Sequence, residues 1–129
     1  MVYSKEEQKK NRAKLVEDLR SRQHKQTRGQ LFDGEGYCCL GRACYIYSKE
    51  CGCGQFILDD NEWFFSLNGA SLKTYPNSSV ADYFGFSTNS GSFIDKCGIK
   101  SCLSWMNDHG ATFEEIANII ESEPEGLVQ

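Results

Sequence analysis

Asn68-Gly69 constrains this chain more than any other pair of residues. It separates "EWFFSL" from "ASLKTY", and a two-residue type I′ turn needs positive φ at both central positions, which Asn and Gly tolerate best. A tight loop there pairs Leu67 with Ala70, Phe65 with Leu72 and Trp63 with Thr74. Because side chains alternate along a strand, these six share one face, while Glu62, Phe64, Lys73 and Tyr75 share the other. "QFILDD" before them supplies a third short strand and a second turn. The first face is almost wholly apolar, so the meander needs cover, with helices of the same chain as the default.

Helical periodicity lies on both sides of this meander. Residues 4–22 form a basic helix, with Ser4 as its cap and Glu6 and Glu7 at the positive end of its dipole. Its apolar residues come late (Ala13, Leu15, Val16, Leu19), so the stripe is narrow and the first two turns are expected to fray. "YCCLGRACYIYS" places Cys39, Ala43 and Ile46 on one stripe and Leu40, Cys44 and Tyr47 on the next. That helix is therefore buried on most of its circumference, with Gly41 allowing a close neighbour. "NSSVADYFGF" reads as a short helix capped by Ser78 or Ser79 and stopped at Gly85, followed by a flexible polar loop, "STNSGSF". The segment from Lys100 reads as two helices joined at Gly110. Thr112 and Glu115 make a capping box at the start of the second, and Phe113, Ile116, Ala117 and Ile120 form its core stripe. The tail "EPEGLVQ" is expected to fray.

A chain of 129 residues with 40% hydrophobic and 25% charged content fits one small domain. The expected division is a basic arm, residues 1–28, on a compact body, residues 29–129, folding as one unit. No run is long enough to span a bilayer and the first residues form no signal core, so a cytoplasmic location is expected. Seven cysteines are an odd count, and a reducing compartment leaves them as thiols or metal ligands. The arm carries nine Lys or Arg against four acids, a net +5; the body carries five against fourteen, a net −9. Such asymmetry suits docking of an anion or head-to-body association of two subunits, and disfavours duplex DNA as a partner.

Four stretches, "LRSRQHKQTRGQL", "GYCCLGRAC", "VADYFGF" and "WMNDHGATFEEIANIIE", resemble in order the segments of a widespread group of small phage-encoded proteins. The matching positions are Lys25, Gln26, Gly29 and Leu31; Gly36, Cys38, Cys39, Leu40, Gly41 and Cys44; and Asn107, Asp108, Gly110, Phe113, Ile116 and Ala117. Met106 stands where that group usually has leucine, and Thr27 where glycine is common. The resemblance implies a phage origin, hence the cytoplasm of an infected host cell, and a shared fold, with no catalytic residue. Small accessory proteins of this kind are often non-enzymatic binders that blunt a host defence or redirect a host protein.

Three kinds of site are open to these residues. Arg20, Arg22, Lys25, Gln26, Arg28 and Arg42 form an anion site if the basic segment folds back on the "GYCCLG" helix, with Tyr37 orienting a nucleotide-like ligand. The glycines of "DGEGY" would leave N–H groups free at that helix start. Cys51 and Cys53 with Cys97 and Cys102 are weak zinc candidates, their C-x-C spacing being tighter than usual. Cys38 or Cys39 with His109 would serve a thiol- or zinc-dependent enzyme, for which a lowered thiol pKa is needed. The expectation is an α+β domain of three to five short antiparallel strands packed against helices. Functionally it is read as a non-enzymatic binder of a small anion or a host protein, without cofactor, that self-associates.

Overall fold

The computed structural model describes residues 3–129; Met1 and Val2, the first residues of the expected arm, lie outside the described residues. The chain runs α1 (Lys5–Arg20), α2 (Cys39–Cys51), β1 (Gln55–Asp59), β2 (Glu62–Leu67), β3 (Ala70–Leu72) and α3 (Ser78–Phe84). It continues β4 (Ser92–Ile94), β5 (Lys100–Cys102), α4 (Leu103–Asp108) and α5 (Phe113–Ser122). β1, β2 and β3 form an antiparallel meander, and β4 and β5 a separate two-stranded hairpin. This is a small α+β fold.

The meander has the register that Asn68-Gly69 dictates. Phe65 pairs with Leu72 and Leu67 with Ala70, and Asn68 and Gly69 take φ of 51° and 82°. Asp60 and Asn61 (φ 51° and 65°) make the other tight turn. On the opposite face Lys73 is ion-paired with Glu62, as alternation requires. The expected third pair, Trp63 with Thr74, does not form because β3 ends at Leu72. The carbonyl of Lys73 instead accepts from the Leu31 N–H at 2.8 Å, so the sheet hands its edge to the segment before α2. That segment supplies the cover: Phe32 packs on Phe56 and Trp63 with ring centroids 5.1 and 4.9 Å apart, and stacks on Tyr37 at 4.5 Å.

α2 is buried along Cys39–Cys44 and at Tyr47. Gly41 is required there by space: a Cβ would lie 1.8 Å from the Leu31 carbonyl oxygen. α5 opens with the expected Thr112–Glu115 capping box, and Gly85 stops α3 in the left-handed conformation (φ 76°). The cap of α3 is Asn77, whose side chain accepts from the Val80 N–H, rather than Ser78 or Ser79.

α1 departs from expectation. Its capping box, Ser4 with Glu7, is intact, and its first turns are held by buried polar side chains. Gln8 donates to the Asp82 carbonyl at 2.8 Å, Asn11 to that of Tyr83 at 2.8 Å, and Arg12 to that of Phe84 at 2.7 Å. These are final-turn carbonyls of α3, which lack an i+4 partner in their own helix, that of Asp82 also accepting from the N–H of the cap residue Gly85 at 3.1 Å. Arg12 also pairs with Glu123 at 3.1 Å. A face that looks solvent-exposed in sequence is thus the C-terminal cap of another helix.

Two other expected loose segments are ordered by contacts. Ser92 and Phe93 of the polar loop form β4 together with Ile94. The tail docks: Leu127 is fully buried, Val128 bridges Phe86, and the Gln129 N–H donates to the Gly85 carbonyl at 2.8 Å.

Candidate functional site

The basic segment does fold back toward α2, and the fold then occupies its donors. Arg42 is buried and donates to both oxygens of Asp18, at 2.8 and 2.7 Å. Its guanidinium lies between the rings of Tyr37 and Tyr45, 4.5 and 4.6 Å from their centroids. A second Nη2 contact reaches His24 Nε2 at 2.9 Å. Arginine can only donate, so that ring nitrogen accepts and the neutral ring carries its proton on Nδ1. Arg20 is held on α5 by Glu114, Glu121 and Asn118. Lys25 pairs with Glu35 at the surface, where such a pair contributes little. Arg22, in the left-handed conformation (φ 60°), is exposed beside Arg20 and His24.

Gln26 and Arg28 meet a different centre, Asn107, which has no exposed surface. Its Oδ1 accepts from Gln26 Nε2 at 2.8 Å and from the Cys39 N–H at 3.1 Å. Its Nδ2 donates to the Thr27 carbonyl at 2.8 Å, and its own carbonyl accepts from Arg28 Nε at 3.2 Å. Asp108 beside it accepts from the Gly29 N–H at 2.8 Å. Three stretches remote in sequence, around Gln26, Cys39 and Asn107, are therefore pinned at one buried amide.

At the start of α2 several N–H groups are engaged within the chain. The Cys38 N–H donates to the Leu31 carbonyl, the Cys39 N–H to Asn107, and the Gly41 N–H to Cys38 Sγ. In the preceding turn, Asp33 Oδ1 takes the N–H groups of Glu35 and Gly36. The glycines of "DGEGY" let the chain wrap its own carboxylate, which takes up the Gly36 N–H that was expected to be free. Charge complementarity between arm and body is likewise satisfied within one chain, through Arg20 on α5 and Arg12 on Glu123.

The thiols divide by burial. Cys38, Cys39 and Cys44 are buried, and desolvation pushes the Cys38 thiol up to about 11 and the other two well above the ordinary range. That is the opposite of what a nucleophilic thiolate needs. Cys38 caps α2, and Cys102 caps α4 by accepting from the Trp105 N–H. Cys51, Cys53 and Cys97 are exposed, and no group of three or more His, Cys, Asp or Glu converges as a metal cage among the described residues. His109 ends α4, its Nδ1 at 2.9 Å from the Trp105 carbonyl. Iodoacetamide should label Cys51, Cys53 and Cys97 in the folded protein and spare Cys38, Cys39 and Cys44 until urea is added. Peptide mass mapping reads the difference; early labelling of Cys39 would contradict the burial described here.

His24 titrates below its ordinary range because burial and the Arg42 charge oppose protonation, outweighing the attraction of Asp18. Its folded pKa is depressed, so the stability it contributes is complete above the unfolded value of about 6.5 and is lost as pH falls through the folded value. Between pH 7.5 and 5, the wild type should lose more stability in urea denaturation than His24→Gln, which keeps an acceptor for Arg42. Equal slopes would contradict the arrangement.

A face that the sequence reading did not single out has a different character. Trp105 and Ile99 are 53% and 62% exposed and line one open groove of about 560 Å³ with Met106, Cys102 and β5. His109 stacks on Trp105 with centroids 4.0 Å apart and planes inclined by 12°, holding the indole outward. The only sequence signal was that Trp105 stands off the core stripe of its short helix.

A family model described as a domain of unknown function, DUF8296, matches residues 7–124. The chain belongs to that family. No curated protein and no solved structure matches it. The match takes in the buried amide at Asn107, the helix α2 and the groove at Trp105, so all three lie inside the DUF8296 domain. Among the described residues no helix is long and apolar enough to cross a membrane.

Proposed function

We propose that this DUF8296 protein is a non-enzymatic binding protein whose target is another protein, held at the face formed by Ile99, Trp105 and Met106. The observation that carries this reading is the exposed indole on an apolar groove. Large exposed apolar side chains grouped at one groove are unfavourable in water and mark docking surfaces, and tryptophan dominates binding energy where it is buried by a partner. In the setting implied by the resemblance, an infected cell, the target is a host protein, and the role is host takeover or counter-defence. Sequestration of a small anionic ligand is the weaker form of the same reading, because the cations proposed for it are largely engaged by Asp18, Glu35, Glu114, Glu121 and the Asn107 carbonyl. No geometric observation favours self-association over a foreign partner.

The test is site-specific photo-crosslinking in host cells that express the protein, with a benzophenone side chain at Ile99 and, as control, at exposed Glu17. A discrete adduct from position 99, lost with Trp105→Ala and missing from position 17, is expected. Equal adducts from both positions, or none from position 99, would refute the proposal. Alongside it, a thermal-shift panel of nucleotides and cyclic nucleotides should leave the melting temperature unchanged. A ligand at a hundred times its Kd would stabilise by about 2.7 kcal/mol, so a clear rise would return the small-anion form to first place.

A further inference from the structure

The groove at Trp105 adjoins an open strand edge. β4 and β5 pair with Ser92 opposite Cys102, Phe93 opposite Ser101 and Ile94 opposite Lys100. On the far side of β4, the outward N–H of Ser92 donates to Thr88 Oγ1 and that of Ile94 to the Glu125 carbonyl. In an antiparallel ladder, residues facing outward on one strand oppose residues facing outward on the other. Phe93 and Ser101 are thus the pair bonded to each other, and the N–H groups of Lys100 and Cys102 point away from β4. Among the described residues no backbone carbonyl accepts from the Lys100 or Cys102 N–H as that of Glu125 accepts from Ile94. Such an edge is a template for another extended chain.

The surroundings state the chemistry of that chain. Lys96 and Lys100 are exposed on this hairpin and, like Lys9, Lys10 and Lys49, form no ion pair among the described residues, whereas Lys14, Lys25 and Lys73 each hold a glutamate. Asp95, the acid that lines the same groove, is turned toward its own loop, its Oδ1 accepting from the N–H groups of Cys97 and Ile99. Lys100 lines the groove and Lys96 stands in the turn just before it, on a body whose net charge is −9.

We infer that β5 and the groove at Trp105 receive an extended segment of a partner protein that adds a strand to the β5 edge. It places an apolar side chain among Ile99, Trp105 and Met106, and sets carboxylates against Lys96 and Lys100. Main-chain bonds supply affinity in this mode, and the groove and lysines supply selectivity. The inference rests on the protein-binding function proposed above and adds to it the conformation and charge of the bound segment.

The test uses the whole protein and a random peptide library as the probe, selected on wild type and counter-selected on Trp105→Ala. Enriched peptides should carry an aromatic or branched aliphatic residue flanked by Asp or Glu. They should bind wild type at least about tenfold more tightly than Trp105→Ala or the double variant Lys96→Glu, Lys100→Glu. In 1H–15N spectra the amides of Lys100 and Cys102 should shift and exchange more slowly with solvent when the peptide is bound. An N-methyl group at the facing peptide position should abolish binding. Several results would overturn the inference: no enrichment, enriched peptides without acids, binding unaffected by the lysine variant, amide shifts confined to helices, or a dimer of this chain that Trp105→Ala dissociates. If the crosslink at Ile99 forms while the peptides fail, the partner uses this face in another conformation. Loss of both removes the binding function itself.

Discussion

Gly41→Ala should destabilise the fold by about 3 kcal/mol or more, although the same change on an open helix surface stabilises by up to about 1 kcal/mol. The sign reverses because the added Cβ would sit 1.8 Å from the Leu31 carbonyl oxygen and 2.8 Å from its carbon. Backbone cannot rotate aside as a long side chain can. Leu31 is held on both flanks: its carbonyl accepts from the Cys38 N–H, and its own N–H donates to the Lys73 carbonyl at the sheet edge. Retreat of Leu31 would break the contact with β3, and retreat of α2 would pull Cys39 off Asn107. In a domain of this size 3 kcal/mol corresponds to a melting-temperature loss of roughly 10 °C, which calorimetry or circular dichroism would register. A neutral or stabilised Gly41→Ala would show that α2 and the segment before it do not approach as described.

Asn107→Ala should cost about as much, on the order of 3–4 kcal/mol, by a different route. Truncation leaves the Cys39 N–H and the Thr27 carbonyl without a partner in a site closed to water, and leaves the Gln26 amide only the Ala111 carbonyl. Each buried polar group so orphaned costs about 1–3 kcal/mol, more than the net worth of the bond it made. Asn107→Asp separates this from a loss of packing. It keeps the shape and the acceptor but turns a charged oxygen toward the Thr27 carbonyl and sets a second carboxylate beside Asp108. Burial and repulsion both raise the pKa of such a carboxyl, so the variant should regain stability relative to wild type as pH falls through that raised value. Urea denaturation at several pH values checks it; an Asp variant as stable as wild type at neutral pH would contradict the assigned hydrogen bonds.

These two residues mark how far the chain is legible. The close approach at Gly41, the meander register, the Thr112–Glu115 cap and the core stripe of α5 follow from local pattern. A two-residue turn and a period of side chains carry their geometry with them. Asn107 does not follow, because an asparagine near a helix end reads as a turn residue until the three segments it joins are brought together. The buried face of α1 was hidden for the same reason: Asn11 and Arg12 reach carbonyls 72 residues away, and their apparent polarity is a measure of what they cap. The basic cluster was legible in sign only. A sequence shows where cations are, and the fold decides that Asp18, Glu114 and Glu121 reach them first. The β4–β5 hairpin, with three-residue strands, is too short for alternation to announce it, so the groove beside it went unseen too.

Gln26, Cys39, Gly41 and Asn107 hold the fold, and the Trp105 face is the one proposed for binding. The stability of Asn107→Ala and Trp105→Ala, measured side by side against wild type by urea denaturation, tests that division most directly. Trp105 is half exposed and its removal should shift stability by no more than about 1 kcal/mol, while Asn107→Ala loses three or more. The reverse order, with Trp105→Ala severely destabilised and Asn107→Ala near wild type, would contradict it.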